Sequence, residues 1–570
     1  MKKISKSLNQ SNFKKMTNFL PIALILLLSL AARIYLLGRV PNGISPDEAD
    51  IGYNAFSILK TGKNIYGETL PLFFRSFDGF VTGFAVYSKI PAIALFGLSD
   101  FSIRLMSAIL GTAATITVFF LIKLLYPKDK YISYIAGLAF AISPWAVEIS
   151  RIAFGHIEMV LFYLLFLLFL VLSQKNVKWL FLAAIFLGLS VYAYTSAIIY
   201  LPLLLLATII IYKKKISENL KISTICLLIL IAITLPAACF YLSQGSRSRL
   251  SSISVLTPDV TLPTSISEMN SDLLDRVPLP NIIHNRRLVY LDELAGNYLK
   301  YFNLDYLFVN ASAVRYFYIN YVGLFLIIEL PFFVSGLFLA LTRRSQSDLL
   351  LLAILLIGPI PAILTLGTAY PHRALLMLLG IQLISAVGIN HAFCYSLKAF
   401  KKNLLYFLIS CTILLYSINV YFFLHQYFVH SPQEFTTEKD NGAWFATVKN
   451  TIPFINKNQN NYNSIIFTWA QPKLVPESYF LFYNQVDPLL FQSATRSKIS
   501  LPYQEIYSKL EKIEFRPINW QDDKNLQNAL LVGYPSEFPK DISNVVGITH
   551  EPNGNTHFLF VAVNPNFSSK

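Results

Sequence analysis

The chain has 570 residues, of which 54% are hydrophobic and only 14% are charged, and its mean hydropathy is +0.51. A soluble domain does not need so large an apolar fraction for its core, so most of the chain is expected to lie in lipid. A net charge of +15 would suggest nucleic-acid binding in a soluble protein, but here the basic residues stand in short stretches between apolar runs, as in membrane proteins.

The N-terminus predicts a basic cytoplasmic tail, residues 1–17, followed by a retained membrane helix. The first 16 residues hold five lysines, and the apolar run that follows has the length of a full span. It has no small-residue cleavage site, so we do not interpret it as a removed signal peptide.

Successive apolar runs predict an all-α polytopic membrane protein, because a span needs roughly 20 apolar residues to cross the hydrocarbon. Basic stretches fall on alternate sides of this series, on the side of the N-terminus, which assigns that side to the cytoplasm. The eleven predicted spans are 18–38, 101–122, 131–147, 156–173, 178–194, 197–212, 221–241, 318–341, 348–367, 373–394 and 404–425.

Residues 80–97 are also apolar, but Lys89 and Pro91 lie in their middle. A charge at the bilayer centre costs roughly 2.5 to 3.5 kcal/mol even on translocon-insertion scales, which give the lower values. A span here would also move every later basic loop to the other side. We therefore predict an interfacial helix on the outer surface.

Three large pieces are predicted on the extracytoplasmic side. Two are loops, 39–100 and 242–317, which belong to a transmembrane domain 18–425. The third is a soluble α/β domain, 426–570, with strand-like runs at Ser464–Trp469, Ala529–Gly533 and His557–Val563.

The sequence gives no sign of a cofactor. The four cysteines lie in or beside apolar runs, the histidines lack zinc-site spacing, and no phosphate-binding glycine loop is present. We predict no cofactor; a divalent metal is not signalled, although the sequence does not exclude one.

An acidic pair, Asp47 and Glu48, follows the first span, at the start of a stretch whose apolar residues recur at helical spacing and which ends at Gly62. One interpretation is structural, with Ser45 as the N-cap and Glu48 as its capping-box partner. The other is catalytic, since a carboxylate held there can take a proton from an attacking hydroxyl. The two interpretations are compatible.

Cationic residues at the outer ends of the spans could neutralise a departing phosphate. The alternative for each of them is snorkelling at the interface. The candidates are Lys89, Arg104, Arg151, His372 and Arg373.

Two further groups of outer residues favour a structural interpretation. An aromatic belt explains Tyr192, Tyr194 and Tyr200 better than a sugar platform does. A solvated face explains the basic run of the long loop, which includes Arg247 and Arg249, better than a phosphate or lipid-headgroup site does.

Several of these residues stand in an order that resembles a known family. They are the Asp47-Glu48 pair, Gly52-Tyr53-Asn54-Ala55, Thr61-Gly62, Tyr66-Gly67, the stretch from Phe96-Gly97 to Arg104, Ser143-Pro144 before Arg151, and Pro371-His372-Arg373. The chain resembles, over about residues 15–400, the bacterial membrane glycosyltransferases of the C-type fold that are related to protein O-mannosyltransferases and to the lipid A aminoarabinose transferase.

The resemblance implies that Asp47 is the catalytic carboxylate, with Glu48 beside it, and that basic residues such as Arg104 and Arg151 hold a lipid phosphate. The chain lacks the His-Pro-Pro-Leu motif of the eukaryotic protein mannosyltransferases and has Phe77-Asp78-Gly79 in that region, which argues against a protein acceptor.

The expected activity is therefore that of a glycosyltransferase in the cell membrane. It would move a sugar from a polyprenyl-phosphate donor, of the undecaprenyl-phosphate type, to an acceptor at the outer face by an inverting mechanism. The expected acceptor is a cell-envelope glycan or lipid, with a protein as the alternative acceptor. The alternatives are a lipid-linked sugar flippase, for which we find no midplane charges or internal repeats, and a non-catalytic envelope scaffold.

Overall fold

The structure is a computed structural model that describes residues 20–76, 79–243, 254–255, 257–311, 319–365, 370–434, 444–470, 475–493, 500–501, 504–505 and 508–565. The predicted basic tail 1–17, Arg247, Arg249, Phe77 and Asp78 lie outside these residues.

The chain divides into two compact units, each built from separate stretches. The helical unit comprises Met1–Tyr35, Ala108–Ser150 and His156–Phe423. The mixed unit comprises Leu36–Ser107, Arg151–Gly155 and Leu424–Lys570. The domain boundaries drawn from the sequence stay a prediction.

In chain order, the helices are α1 (Leu20–Ile34), α2 (Pro46–Thr61), α3 (Gly83–Tyr87), α4 (Ile90–Phe96), α5 (Asp100–Leu125), α6 (Ile132–Ile142), α7 (Pro144–Ile149), α8 (His156–Leu172), α9 (Trp179–Leu189), α10 (Ala197–Ile211), α11 (Lys213–Glu218), α12 (Leu220–Leu242), α13 (Pro258–Leu274), α14 (Pro280–Ile283), α15 (Arg286–Lys300), α16 (Leu304–Phe308), α17 (Leu330–Arg343), α18 (Gln346–Ile357), α19 (Ile360–Ile363), α20 (Leu375–Ala399), α21 (Lys402–His425), α22 (Ser431–Glu434), α23 (Val448–Asn458), α24 (Pro476–Asn484), α25 (Pro488–Ser493) and α26 (Trp520–Asp523).

Several helices are long and apolar enough to cross a membrane. Among the described residues five such segments have at least 18 residues, and further apolar helices such as α1, α8 and α10 are shorter. The five are Asp100–Leu125, Leu220–Leu242, Gln346–Ile363, Leu375–Ala399 and Lys402–Glu434. The predicted number of eleven spans is not confirmed by these lengths.

Glycines allow two helices of the helical unit to pack closely. A Cβ at Gly388 of α20 would overlap the carbonyl oxygen of Phe332 in α17, and one at Gly336 of α17 would overlap that of Ile384. Small residues at such contacts are typical of membrane helices, whose association depends on close packing rather than on the hydrophobic effect.

The segment predicted as an interfacial helix, 80–97, is divided in the structure. Strand β2 (Gly79–Thr82), which pairs with β1 (Phe73–Ser76), is followed by α3 and α4, with the buried Lys89 between the two helices. Its location at the interface stays a prediction.

A six-stranded sheet forms the C-terminal part of the mixed unit. In spatial order its strands are β6 (Ser508–Leu510), β7 (Ile513–Phe515), β3 (Ser464–Phe467), β8 (Ala529–Gly533), β10 (Thr556–Val563) and β9 (Val545–His550). The central strand β3 runs parallel to β7 and β8, and the other pairs are antiparallel. A short hairpin, β4 (Ser500–Leu501) with β5 (Gln504–Glu505), stands apart from this sheet. The three strands predicted for this region are confirmed.

Helix α2 shares one hydrophobic core with the C-terminal part of the mixed unit. The Tyr53 hydroxyl donates to the Val486 carbonyl (3.0 Å), and the Tyr479 hydroxyl donates to the Ile44 carbonyl (3.1 Å). Gly52 lies so close to the Phe482 ring that a Cβ there would approach it to 2.7 Å. Helix α2 and the turn before it are thereby fixed to residues more than 400 positions later in the chain.

Candidate functional site

The acidic pair lies at the N-terminus of α2, where the structure has the predicted capping box. The Glu48 amide donates to Ser45 Oγ (3.1 Å), and the Ser45 amide donates to Glu48 Oε2 (3.4 Å). Pro46 opens the helix, and Gly62 ends it in the left-handed conformation, at φ +70°. Asp47, in the same first turn, is partly exposed, whereas Glu48 is fully buried.

Glu48 forms a bidentate ion pair with Arg104 of α5. Arg104 Nε donates to Glu48 Oε1 (2.9 Å) and Nη2 donates to Oε2 (2.7 Å), and neither side chain is exposed to solvent. The Ala153 amide also donates to Glu48 Oε1 (3.0 Å). A charge-assisted, bidentate contact of this kind fixes the relative orientation of the two side chains and is stronger than a hydrogen bond between neutral groups.

The remaining Arg104 hydrogens hold the turn that leads into α2. They donate to the carbonyls of Leu37 (3.4 Å), Pro41 (3.0 Å) and Gly43 (2.6 Å). All five N–H groups of the guanidinium therefore have protein acceptors. Arg104 ties together the start of α2, the preceding turn and α5.

Arg151 binds the same turn from a different part of the chain. This buried residue follows α7 by two positions, and its Nη2 donates to the Val40 carbonyl (2.9 Å). Its Nε donates to the Tyr427 hydroxyl (3.3 Å), and the guanidinium lies 4.8 Å from the centre of the Phe428 ring. The structure therefore brings Glu48, Arg104 and Arg151 together around residues 37–48.

Lys89 lies in the mixed unit as well, fully buried, and its Nζ donates to Ser107 Oγ of α5 (2.7 Å). That contact joins the α3–α4 segment to the same helix that carries Arg104.

Asp50, which the sequence analysis did not single out, is a third carboxylate of α2. It is 2% exposed, its Oδ1 accepts a hydrogen bond from Asn54 Nδ2 (2.9 Å), and its Oδ2 has no hydrogen-bond partner among the described residues. The pKa of Asp50 is raised to about 7, chiefly by burial; the charge of Asp47 also acts to raise it, and hydrogen bonds from Ser76 and Asn54 act to lower it. The signal in the sequence was the spacing: positions 47, 50 and 54 share one helical face.

His372 and Arg373 belong to the helical unit and form part of an aromatic and cationic cluster there. The His372 ring stacks on His156, with 5.1 Å between ring centres, and His156 contacts Tyr194 edge-on at 4.5 Å. Arg373 Nη1 donates to Thr365 Oγ1 (2.6 Å). The sequence analysis did not single out His156, because it stands at the start of an apolar run and no motif surrounds it.

Two of the tyrosines predicted for an aromatic belt make specific hydrogen bonds. The buried Tyr200 hydroxyl lies 2.6 Å from the Gly358 carbonyl oxygen and 2.9 Å from the Arg373 carbonyl oxygen, which share its single proton. The Tyr192 hydroxyl donates to the Ile233 carbonyl (2.7 Å). Tyr200 thereby positions the backbone of Arg373.

The comparisons with known proteins support the resemblance seen in the sequence. Residues 82–240 match the model of the family described as dolichyl-phosphate-mannose-protein mannosyltransferase. No curated protein matches the chain significantly.

Solved structures of two kinds share the fold. The chain superimposes on ArnT from Cupriavidus metallidurans, in the apo state with a TM-score of 0.52, 12% identity and coverage of 96% of this chain and 98% of ArnT. For ArnT bound to undecaprenyl phosphate the TM-score is again 0.52, with 13% identity and coverage of 97% and 98%. The apo oligosaccharyltransferase of Archaeoglobus fulgidus gives a TM-score of 0.50 at 15% identity, with coverage of 87% of this chain.

The chain spans 66% of the length of that archaeal enzyme. The fold is nevertheless shared over nearly all of this chain, and the sequence match falls on the segment that begins at Thr82. The chain thus shares the fold of ArnT and of the archaeal oligosaccharyltransferase, and a segment of it matches the mannosyltransferase family model, in agreement with the resemblance that the sequence shows to membrane glycosyltransferases of the C-type fold.

Proposed function

We propose that the protein transfers a sugar from a polyprenyl-phosphate donor, of the undecaprenyl-phosphate type, to a cell-envelope glycan or lipid at the extracytoplasmic face. The fold it shares with ArnT, of which one structure holds undecaprenyl phosphate, supports this class of donor. In this proposal the N-terminus is cytoplasmic and the mixed unit is extracytoplasmic.

The observation that carries the proposal is the construction of the α2 N-terminus. Glu48 is buried in the ion pair with Arg104, so it serves to hold the helix, whereas the adjacent Asp47 is partly exposed in the first turn. A rigid backbone with one accessible carboxylate is what a positioned base requires.

In the proposed reaction Asp47 accepts the proton of an acceptor hydroxyl as its oxygen attacks the anomeric carbon. The bond between that carbon and the phosphate oxygen breaks, and the electron pair leaves with the polyprenyl phosphate. Attack from the face opposite the phosphate inverts the anomeric configuration.

The leaving phosphate gains charge in the transition state and needs cationic donors. Of the predicted phosphate-binding residues, His372 and Arg373 belong to the helical unit, and we propose this role for them on the basis of their own chemistry and surroundings. Within the part of the chain that the structure describes, Arg373 donates only through Nη1, to Thr365, and its Nε and Nη2 have no acceptor there. Tyr200, which binds the Arg373 carbonyl, holds it in place.

Arg104, Arg151 and Lys89 receive positioning roles in this proposal. Every N–H of Arg104 is engaged with Glu48 or a backbone carbonyl, so binding a phosphate would require breaking those contacts. Arg151 holds Val40 in the same turn, and Lys89 ties the α3–α4 segment to Ser107.

The test is transfer by purified protein in nanodiscs, with a panel of undecaprenyl-phosphate-linked sugars and with envelope glycans and lipids as acceptors. Asp47→Asn is expected to lower turnover at least about 100-fold, because a positioned base typically adds 10²- to 10⁴-fold. Glu68→Gln is the matched control, since Glu68 is an exposed carboxylate of the same outer loop.

Undiminished transfer by Asp47→Asn would overturn the role of Asp47. Movement of the lipid-linked sugar between leaflets without transfer to any acceptor would instead identify a flippase.

A further inference from the structure

An open groove of about 540 Å³ lies within the mixed unit, apart from the residues assigned to the reaction. One wall is the turn 36–43, and the other is formed by residues 428–433. Its volume falls in the range of small-molecule sites, roughly 300 to 1,000 Å³. Neither Asp47 nor Asp50 lines it.

The lining combines apolar surface with positive charge. Leu36, Val40, Phe428 and Val429 supply apolar surface, and Arg39 supplies a guanidinium. Arg39 is exposed and forms no ion pair with any residue that the structure describes. A groove of this composition fits a ligand with an anionic head and an apolar tail.

Lys449 adds a second cation to the groove. Its Nζ lies 2.7 Å from Asp100 Oδ2, and half of its side chain is exposed. Because the guanidinium of Arg39 is not neutralised by a described carboxylate, the lining keeps a net positive charge that an anion would balance.

Both walls of the groove follow apolar helices in the chain. Leu36 comes two residues after the end of α1, and Phe428 comes three residues after the end of α21. Both helices carry exposed apolar side chains, among them Leu24 and Leu27 in α1 and Ile418 and Phe422 in α21. Lysine and arginine near helix ends commonly lie at the level of the headgroups.

We propose that this groove binds the headgroup of an anionic phospholipid of the outer leaflet, with Arg39 and Lys449 contacting its phosphate and Leu36, Phe428 and Val429 contacting its upper acyl chain. The sugar donor is a poorer occupant. Its phosphate is bonded directly to the anomeric carbon, so it must lie close to the base, and Asp47 is not part of the lining.

The experiment measures lipid retention by native mass spectrometry of the full-length protein, taken from nanodiscs of phosphatidylglycerol and phosphatidylcholine. The intact protein is expected to retain one phosphatidylglycerol in preference to phosphatidylcholine. Arg39→Gln and Lys449→Gln are each expected to weaken that retention roughly tenfold, the loss of one charge-assisted contact. Lys63→Gln, which removes an exposed lysine of the same unit, is expected to leave it unchanged.

Equal retention by Arg39→Gln, or no preference for phosphatidylglycerol, would overturn the proposal. It would also be overturned if undecaprenyl phosphate displaced the bound lipid and Arg39→Gln raised the KM for the donor, since the groove would then belong to the carrier. The same measurement on Asp47→Asn separates the two proposals, because the lipid site is expected to survive the loss of transfer.

Discussion

Arg104 and Glu48 form a buried two-pronged ion pair across 56 positions of the chain, and that pair fixes the N-terminus of α2 beside its neighbour Asp47. Its contribution to stability depends on both partners, because a single buried charge left without its partner carries the full desolvation penalty.

Glu48→Gln is therefore expected to destabilise the protein by about 3 to 5 kcal/mol, since it leaves the Arg104 charge buried without a counterion. The measurement is thermal unfolding in nanodiscs, followed by tryptophan fluorescence. Lys509→Gln serves as the matched control, because it breaks an ion pair whose lysine is half exposed and whose partner, Glu514, keeps Arg516 as a counterion, so it is expected to cost about 1 kcal/mol or less. Equal losses in the two variants would contradict the structural role of Glu48.

Asp50→Asn is expected to change how stability depends on pH. The pKa of Asp50 in the folded protein, about 7, is above its ordinary value of 3.8, so the folded state binds more protons than the unfolded state between these values. The contribution of Asp50 to stability is therefore present at low pH and is lost as pH rises from about 4 to above 7, by up to roughly 4 kcal/mol.

The asparagine variant lacks this loss, so it is expected to gain stability relative to the unmodified protein between pH 5 and pH 8. Unfolding temperatures at the two pH values measure the effect, with Glu68→Gln as the control for an exposed carboxylate. A constant difference between Asp50→Asn and the unmodified protein across this range would show that Asp50 titrates normally.

Arg373→Gln is expected to lower kcat/KM for the lipid-linked donor by roughly 10- to 100-fold, because it removes a cation that stabilises the leaving phosphate. Steady-state transfer with varied donor concentration provides the measurement. Arg344→Gln is the control, as Arg344 is an exposed arginine at the end of α17. If both variants kept full activity, the phosphate would have to be bound elsewhere.

Gly388→Ala is expected to destabilise the helical unit by about 1 to 3 kcal/mol, since the added methyl group would overlap the Phe332 carbonyl of α17. Gly296→Ala is a closely matched control, because it is also within a helix but has open space around it. There the better helix propensity of alanine is expected to raise stability slightly. The opposite order of unfolding temperatures would argue against tight packing of α17 on α20.

The features that the sequence predicted correctly are those with local causes. The capping box, Pro46 and Gly62 determine the ends of α2, and short, predominantly apolar runs mark the strands β3, β8 and β10. Span lengths were harder to predict, because Pro and short turns divide apolar runs in ways that hydropathy does not show.

The site was only partly predictable, because its contacts join distant segments. Both Glu48 and Arg104 were singled out, but their pairing depends on how the first outer loop folds against α5. Asp50 and His156 acquire their significance through burial and through neighbours that are remote in sequence, such as Ser76 for Asp50 and His372 for His156. Patterns in a single sequence do not show which distant residues come into contact in the folded protein.

The mixed unit joins the first outer loop to the last part of the chain, and this has a consequence for biogenesis. About 380 residues separate Thr61, the end of α2, from Phe445, so at 5 to 20 residues per second α2 is translated roughly 20 to 80 s before its C-terminal packing partners exist. During that interval the apolar face of α2 around Gly52 and Tyr53 must be shielded by lipid or by a chaperone. Premature termination of translation would consequently release a protein whose spans are inserted but whose helix α2, which carries Asp47, lacks its C-terminal packing partners.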